Sequence, residues 1–317
     1  MTVSSSAPVQ ATPPATRRQA YLLLTAAICI GSCSFTFVRV ALRELSPLTL
    51  ATGRVVASAT MFIVIVLRSP WRRRPVPKAD RWKVFACGFG GSAVFHIFFN
   101  WGQQYVSVAI AAVIMATYPV MTALGEVVFL RHRLRSLQVM GLVLAVAGCA
   151  AIAAGGGLRG GSKPVIGAIL VALATLVWAV VTIITRGFGD RYDSWWLNTP
   201  GTVFGALFML AIDIPGLHEF ADLSAKGWLV VIWLGTASSA FIYYSMARAM
   251  TSVTATTATS LSTIVTPGSV LVAWVFLGDA PSLIEVIGGA IVIVGVMLVV
   301  RNAVEPAAGE FQPAFAD

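Results

Sequence analysis

The segments IMATYPVMTALGEVVFLRHRL, residues 114–134, and LSTIVTPGSVLVAWVFLGDAPS, residues 261–282, are long apolar stretches interrupted by Pro119 and Pro267. They begin 147 positions apart, and each is followed directly by another apolar span. A proline inside a helix removes a backbone donor and clashes one turn back, so a matched pair indicates a repeated structural feature. The two segments therefore predict a duplicated bundle of membrane helices.

Composition places the chain in a lipid bilayer. Hydrophobic residues make up 57% of its 317 residues and charged residues 11%, and the mean hydropathy is +0.84. A chain of this composition would expose far too much apolar surface in water. Windows with almost no charge recur, each close to the roughly 20 residues that cross the hydrocarbon core as a helix. They predict an all-α integral membrane protein with ten transmembrane helices, over residues 20–41, 47–67, 82–104, 107–130, 136–156, 164–186, 195–214, 227–248, 252–276 and 281–301.

The positions of the basic residues predict how these helices are oriented. With the N-terminus in the cytoplasm, sixteen of the 22 Lys and Arg fall in cytoplasmic loops or tails and only four fall outside. Those four are Arg43, Arg159, Lys163 and Lys226. Arg39 and Arg54 lie within predicted helices. Because Lys and Arg are in excess in cytoplasmic loops, we expect a multi-pass protein of the cell inner membrane with both termini cytoplasmic. The net charge of +9 then reflects this rule, and no nucleic-acid partner is expected.

A glycine-rich stretch at residues 153–164 divides the ten predicted helices into two sets of five. Because five is odd, the second set enters the membrane from the opposite side, which predicts two inverted five-helix repeats. Inverted repeats around a midplane site are an architecture of secondary transporters. The predicted organisation is a disordered cytoplasmic tail over residues 1–19, a first repeat over 20–156, a linker over 157–163, a second repeat over 164–302 and a cytoplasmic tail over 303–317.

Five stretches carry a family resemblance. They are SCSFTFVRVAL (residues 32–42), PLTLATGRVVASA (47–59), LATLVWAVVTIITRGF (173–188), LGTASSAFIYYSMARAM (234–250) and the segment from Pro267 to Asp279. They resemble the EamA-type repeats of the drug/metabolite transporter superfamily, over about residues 20–301. The resemblance implies two EamA-like repeats and export of a solute, although its motifs are poor guides to which solute. The family's FLGE before the fifth helix is FLRH here, with Arg131 and His132, and the second copy has Asp279 in place of Glu.

Four predicted helices have one polar face each. The polar residues recur at helical spacing. They are His96, Asn100 and Gln103 in the third helix, Tyr118, Thr122 and Glu126 in the fourth, Thr175, Trp178, Thr182 and Thr185 in the sixth, and Ser252, Thr256, Ser260 and Thr263 in the ninth. A charge at the bilayer centre costs about 2.5–3.5 kcal/mol, so polar faces are expected to point at protein or a solvated pathway. The alternative for any one hydroxyl is a hydrogen bond that holds two helices together, worth about 0.6 kcal/mol.

Titratable residues within the spans are candidates for substrate binding and for ion coupling. His96 is expected near the midplane, where imidazole either exchanges a proton or binds substrate, or else is a buried neutral side chain bonded to Asn100 or to a neighbouring helix. Glu126 is either a coupling carboxylate or the partner of Arg131 near the cytoplasmic face. Arg54 and Arg39 either snorkel to the outer interface or bind a substrate carboxylate through paired hydrogen bonds. Of the two, Arg54 is the preferred candidate for binding, because it lies deeper in its span.

Aromatic, proline and glycine residues complete the predicted site. Tyr118, Trp178 and Tyr243 are expected to border the pathway and to contact an apolar or aromatic solute, although Trp and Tyr also form interfacial belts. Pro119 and Pro267 are expected to break their helices beside the substrate. Ser260 and Thr263 are expected to line the same cavity from the ninth helix. Glycines predict close helix packing and no binding role. These are Gly201 and Gly205 in the seventh helix and Gly141 and Gly148 in the fifth.

Together these features predict a secondary transporter that moves a small organic metabolite, an amino acid or a drug-like solute, across the inner membrane. Export by alternating access at a midplane site is expected. The alternatives are a facilitative channel, an uptake permease or, since the sequence lacks known catalytic motifs, less readily an intramembrane enzyme. No cofactor or metal is expected. The expected partners are the small-molecule substrate and membrane lipid.

Overall fold

The computed structural model describes residues 15–68, 76–122, 136–155, 163–188, 192–249, 252–253, 261–262 and 264–301. These residues form helices and connecting turns, without a strand among them. The helices are α1 (Arg17–Ala41), α2 (Pro47–Arg68), α3 (Lys78–Phe89), α4 (Phe95–Tyr105), α5 (Val108–Met115), α6 (Ser136–Gly155), α7 (Pro164–Phe188), α8 (Ser194–Ile212), α9 (Ala225–Gly235), α10 (Ile242–Ala249), α11 (Val265–Leu277) and α12 (Leu283–Arg301). A π-helical turn, Gly90–Val94, joins α3 to α4, and a second, Thr236–Phe241, joins α9 to α10.

The helices have the length and composition of a multi-pass membrane protein. Within the described ranges, six continuous helices are long and apolar enough to cross a bilayer, with α3 and α4 counted as one helix and α9 and α10 as another. Four further apolar helices are shorter, Val108–Thr122, Ser136–Ala151, Val265–Leu277 and Leu283–Val299. The predicted all-α membrane class is confirmed, whereas the count of ten spans in two inverted repeats stays a prediction.

Several helix ends differ from those that apolar patterning predicts. The third predicted span, 82–104, begins four residues earlier, at Lys78, because its first turn is polar and therefore invisible to a hydropathy window. The fourth, 107–130, is broken by a turn at Ala116 and Thr117, just before Pro119. Its residues beyond Thr122 lie outside the described part of the chain, as do most residues between Met250 and Thr263 in the predicted ninth span.

Hydroxyl and carboxylate caps define where several helices start. Thr16 and Gln19 form a reciprocal capping box at α1, and Ser224 caps α9. At α12 the Ser282 backbone N–H donates to Glu285 Oε2 at 2.7 Å, and Ser107, the N-cap of α5, donates to Glu285 Oε1 at 2.6 Å. Each cap satisfies backbone donors that the first helical turn leaves without partners. The start of α5 is thereby tied to the start of α12.

The helices of the second half repeat those of the first at a constant distance along the sequence. Helices α1 and α7 begin at positions 17 and 164, α2 and α8 at 47 and 194, and α3 and α9 at 78 and 225. The same interval of 147 separates the starts of α4 and α10, at 95 and 242, and of α6 and α12, at 136 and 283. This agreement is what duplication of a five-helix unit produces.

The two halves are interleaved by contacts that exchange under the same shift. Helix α4 packs against α7, and its counterpart α10 packs against α1. Helix α3 packs against α8, and its counterpart α9 packs against α2. Reciprocal contacts of this kind are the signature of a two-fold relation between two copies of one unit. Each half therefore packs two of its helices against helices of the other.

Glycines allow the backbones of these helix pairs to approach closely. A Cβ atom added at Gly201 of α8 would lie 2.7 Å from the Cα atom of Gly88 in α3 and would also meet backbone atoms of Phe85 and Phe89. In the pair α6 and α12, a Cβ atom at Gly148 would lie 2.9 Å from the carbonyl oxygen of Gly288. Gly201, Gly141 and Gly148 were predicted to mediate close packing, and the structure confirms this role. Such small residues drive helix association where lipid removes the hydrophobic driving force.

Replacing Gly201 by Ala is expected to lower the free energy of unfolding by about 1–3 kcal/mol, because the atoms in the way belong to the backbone of α3 and not to a side chain that can rotate. The matched control is Gly289→Ala, since a Cβ atom there would lie at an ordinary 3.4 Å from Val113 Cγ2. Both variants are measured by reversible unfolding in mixed detergent micelles. Equal stabilities of the two variants would contradict the close contact between α3 and α8.

Candidate functional site

A cavity of about 160 Å³ lies between helices of both halves. Its described lining comes from α1, α2, α4, α5, α7, α10 and α11, from the second π turn, from the residues that follow α5 and from Ser262, which precedes α11. The lining side chains are mostly apolar. The polar exceptions are Ser34, Arg54, His96, Tyr118, Ser238, Tyr243, Ser262 and Thr266. Among the residues that the structure describes, Arg54 is thus the one permanently charged side chain in the wall.

Arg54 is held inside the bundle without a charged partner among the residues that the structure describes. Its side chain is only 2% exposed. One nitrogen, Nη1, donates a hydrogen bond to Asn100 Oδ1 at 3.0 Å, while Nε has no hydrogen-bond partner. Within the described chain no carboxylate forms an ion pair with Arg54 or lines the cavity. An arginine presents several donors in a rigid fork, and a buried one with a donor left over is poised for an anionic oxygen.

Asn100 holds the guanidinium of Arg54 in place. Its Oδ1 accepts from Arg54, and its Nδ2 donates to the carbonyl oxygen of Pro47 at 3.4 Å. Asn100 is fully buried and does not itself line the cavity. It was predicted to bind substrate, and in the structure it supports the residue that can do so.

His96 links α4 to the π turn of the other half. Its Nδ1 donates to the carbonyl oxygen of Ser92, and its Nε2 lies 3.0 Å from the hydroxyl of Ser239. That hydroxyl also lies 2.9 Å from the carbonyl oxygen of Leu234. Since a serine hydroxyl has one proton, Ser239 can donate to Leu234 or to His96 but not to both.

A second link is related to the first by the 147-residue shift. Tyr243 occupies the position in the second half that His96 occupies in the first, and its hydroxyl donates to the carbonyl oxygen of Gly91 in the first π turn. Each half therefore sends one side chain to the π turn of the other. A π turn breaks the regular i to i−4 pattern of backbone hydrogen bonds and is frequent at functional sites.

Aromatic rings form one wall of the cavity. The ring centroids of Trp178 and Tyr243 are 4.9 Å apart, and those of Trp178 and Phe95 are 5.5 Å apart. Phe95 in turn stacks on Phe99 with centroids 5.4 Å apart. Trp178 and Tyr243 were predicted pocket residues, whereas Phe95 and Phe99 were not, since an apolar residue in an apolar helix carries no distinguishing signal.

Tyr118 and Pro119 border the cavity where helix α5 is interrupted. The Tyr118 hydroxyl donates to Thr182 Oγ1 at 3.3 Å, so Thr182 contacts a lining residue without lining the cavity itself. Pro119 is buried, and the turn at Ala116 and Thr117 precedes it directly. Pro267 differs, because it lies exposed in the first turn of α11, where a missing N–H breaks no intrahelical hydrogen bond.

Two basic or amide residues have structural roles. Gln103 was predicted to bind substrate, but its Nε2 donates to the carbonyl oxygen of Phe35 at 2.6 Å, and it does not line the described cavity. Arg39 donates through Nη1 to the carbonyl oxygens of Gln103 and Gln104 near the end of α4. A cation is favourable at a helix C-terminus, so Arg39 stabilises the end of α4. The sequence alone had left snorkelling and substrate binding as the alternatives for Arg39.

Hydroxyls in the cavity wall escaped the sequence prediction. Ser34 and Ser238 share a hydrogen bond of 2.6 Å across the two halves, and Thr266 donates to the carbonyl oxygen of Ala112 at 3.2 Å. One feature of the sequence could have pointed to further residues of the site. The 147-residue shift pairs Ser92 with Ser239 and His96 with Tyr243, so a candidate in one half indicates its counterpart in the other.

The predicted residues Glu126, Ser260 and Thr263 lie outside the described residues. In the part of the chain that is described, no cluster of His, Cys, Asp or Glu can hold a metal ion.

Comparison with known proteins identifies the family. The model of the EamA-like transporter family matches residues 18–154 and again residues 165–301. An uncharacterized transporter of Archaeoglobus fulgidus is 26% identical over 290 residues, which cover 89% of this chain and 99% of that protein. A probable terminal-alkyne amino-acid exporter of Streptantibioticus cattleyicolor is 28% identical over 285 residues, which cover 89% of this chain and 92% of that protein.

A solved structure shares the fold. It is described as "Crystal structure of protein", and it matches with a TM-score of 0.64 and 21% sequence identity, over 89% of this chain and 96% of that one. The family and the names of the relatives indicate a membrane transporter rather than an enzyme. Since the family model matches both halves, the chain belongs to the EamA-like transporter family of the drug/metabolite transporter superfamily.

Proposed function

We propose that this protein is a secondary transporter that exports a small organic solute with a carboxylate group, of the amino-acid or drug-like kind, across the inner membrane. The observation that carries the proposal is Arg54, a buried cation with an unpaired donor in the wall of a cavity that both halves build. Substrate binding is assigned to Arg54, His96, Tyr118, Trp178 and Tyr243. Asn100 and Thr182 support them, and Ser260 and Thr263 are further proposed contacts.

The energetics of Arg54 favour a charged ligand. Placing a charge in a membrane interior costs about 2.5–3.5 kcal/mol by insertion scales, and such residues mark substrate pathways. A carboxylate recovers part of this free energy, because charge-assisted hydrogen bonds contribute about 1.5–3 kcal/mol each. Asn100 is neutral and satisfies one guanidinium nitrogen, so the charge of Arg54 stays available to a ligand.

The name of one relative supports both the solute class and the direction. The Streptantibioticus cattleyicolor protein is named a probable terminal-alkyne amino-acid exporter. An amino acid carries the carboxylate that suits Arg54, and an unsaturated side chain suits the aromatic wall of Phe95, Trp178 and Tyr243. Export is taken from that name and from the family resemblance.

Alternating access is the proposed mechanism. The cavity wall draws on both halves, so a movement of one half against the other changes which side of the membrane the cavity faces. The π turns, Gly90–Val94 and Thr236–Phe241, lie at equivalent places and are joined across the halves through His96 and Tyr243. The charge distribution along the sequence supports an inverted arrangement with cytoplasmic termini.

The sequence has no nucleotide-binding motif, so transport must use a gradient or exchange. His96 and Glu126 are the proposed coupling residues. A proton on His96 Nε2 requires Ser239 to accept, and the Ser239 hydroxyl then donates to Leu234. Loss of that proton frees the hydroxyl to donate to the imidazole. Protonation is therefore linked to hydrogen bonding inside the second π turn.

Proteoliposomes loaded with a mixture of metabolites test the proposed function. We expect at least one carboxylate-bearing component to leave in a saturable, protein-dependent way. Arg54→Gln is expected to reduce kcat/KM for that component about 10- to 100-fold, because one charge-assisted hydrogen bond is lost. Arg43→Gln is the matched control, since Arg43 lies in an exposed turn. Efflux that does not saturate would indicate a channel, and hydrolysis of a component would indicate an enzyme.

The pH dependence of transport tests the coupling residues. We expect the rate of the wild-type protein to vary with pH and the variation to be smaller in the His96→Asn variant, because an asparagine side chain cannot titrate. His218→Asn is the control, since His218 lies exposed in the 3₁₀ helix Ile214–Phe220. Glu126→Gln is measured in the same way. Unchanged profiles in both the His96 and Glu126 variants would exclude proton coupling at either residue.

A further inference from the structure

We propose that the cavity selects a solute with one net negative charge, a monocarboxylate with a compact apolar body, over a zwitterion of the same shape, and that its export carries charge. This inference rests on the proposed function, because it concerns the ligand of the same cavity, and it narrows the proposed carboxylate-bearing solutes by ranking those without an ammonium group above amino acids. The feature behind it is the imbalance of charge in the described wall: one fixed cation and no carboxylate.

The charge of the bound complex decides between an anion and a zwitterion. Arg54 brings a charge of +1 into a wall whose described residues contribute no Asp or Glu. A monocarboxylate neutralises that charge, so the ligand and the described wall together are electrically neutral. A zwitterion also presents a carboxylate, but its ammonium adds a second cation and leaves the ligand and the described wall together at +1. In a medium of low dielectric constant the uncompensated charge is costly, so the monoanion binds more tightly.

The described wall has no charged group for an ammonium. Its polar groups other than Arg54 and His96 are hydroxyls, several of which already bond to protein atoms: Ser34 to Ser238, Tyr243 to Gly91 and Thr266 to Ala112. A hydroxyl or an aromatic face attracts a cation less strongly than a carboxylate does. An ammonium would lose its hydration shell here with only neutral groups in return.

The size and apolar character of the cavity define the rest of the solute. The volume is about 160 Å³, and cavities on the order of 150 Å³ lined by apolar side chains hold a group the size of benzene. The rings of Phe95, Trp178 and Tyr243 supply a flat apolar surface. The solute class is therefore a carboxylate with a branched or cyclic group of about six carbons.

Transport of such a solute moves charge across the membrane. Arg54 stays with the protein, so the negative charge of the solute is what crosses the membrane. A potential that is negative inside drives an anion outward, and about 100 mV contributes about 2.3 kcal/mol per charge. A difference of about 60 mV therefore changes the steady-state ratio of solute concentrations about tenfold. The membrane potential alone is then sufficient to drive export.

A matched pair of solutes tests the inference. The probes are 4-methyl-2-oxopentanoate and leucine, which share a carboxylate and a branched tail and differ in net charge. Uptake into proteoliposomes of the full chain is measured at equal, strongly buffered pH on both sides, under potassium diffusion potentials set with valinomycin. We expect kcat/KM for the oxo acid to exceed that for leucine at least tenfold. We also expect its accumulation ratio to change about tenfold for each 60 mV, or more steeply when a proton moves the other way.

Variants separate a role in binding from a loss of fold. Arg54→Gln is expected to reduce transport of the oxo acid at least tenfold, and Arg54→Lys is expected to restore part of it because the charge returns. Binding of the oxo acid, followed through the fluorescence of Trp178 by comparison with the Trp178→Phe variant, is expected to weaken in Arg54→Gln and not in Arg43→Gln. Equal binding of the oxo acid by the wild-type protein, Arg54→Gln and Arg43→Gln would overturn the role of Arg54.

The remaining outcomes also decide. The inference would be overturned if leucine were transported as well as the oxo acid or better. It would also be overturned if accumulation of the oxo acid did not depend on the membrane potential, or if neither probe were transported in a saturable way. In each case the proposed function stands if another component of the metabolite mixture leaves the same vesicles in a saturable way. If no component leaves, the proposed function fails as well.

Discussion

The rest of this structure depends on two hydrogen bonds, one from each half to the π turn of the other. A π turn leaves backbone groups without their regular partners, and inside a bilayer such groups need partners from protein or water. Here the opposite half bonds to each turn: the Tyr243 hydroxyl donates to the backbone carbonyl oxygen of Gly91, and His96 bonds to the side-chain hydroxyl of Ser239. These bonds join α4 to the second π turn and α10 to the first, and residues of α4, of α10 and of the second π turn line the cavity.

The scaffold is nearly symmetric, and the chemistry within it is not. Under the 147-residue shift Arg54 of α2 corresponds to Gly201 of α8. One position carries the charge of the cavity, and the other allows α3 and α8 to touch through Gly88 and Gly201. Likewise His96 corresponds to Tyr243, so one link is made by an imidazole and the other by a phenol hydroxyl. A duplicated bundle thus provides two equivalent positions, of which one carries a charged side chain in the cavity wall and the other allows close helix packing.

The sequence predicted helices better than it predicted contacts. Apolar length alone predicted a span at residues 47–67, where the structure has α2 at Pro47–Arg68. It also predicted a span at residues 164–186, where the structure has α7 at Pro164–Phe188. It missed both π turns, because a change in hydrogen-bond register leaves the apolar pattern unchanged. Arg54, His96, Trp178 and Tyr243 were found because polar or large aromatic residues are conspicuous in apolar spans. Gln103 shares a helical face with His96 but bonds to a backbone carbonyl, and spacing within one helix cannot distinguish that partner from a cavity.

The interleaving of the halves has a consequence for biogenesis. At about 5–20 residues per second, translation takes roughly 7–30 s to advance from any position in the first half to its counterpart in the second. During that interval His96 is already in the nascent chain while Ser239 is not. Arg54 and Asn100, in contrast, both belong to the first half and can pair at once. The hydrogen bond between them therefore gives the charged side chain a polar neighbour during membrane insertion, before any cavity exists.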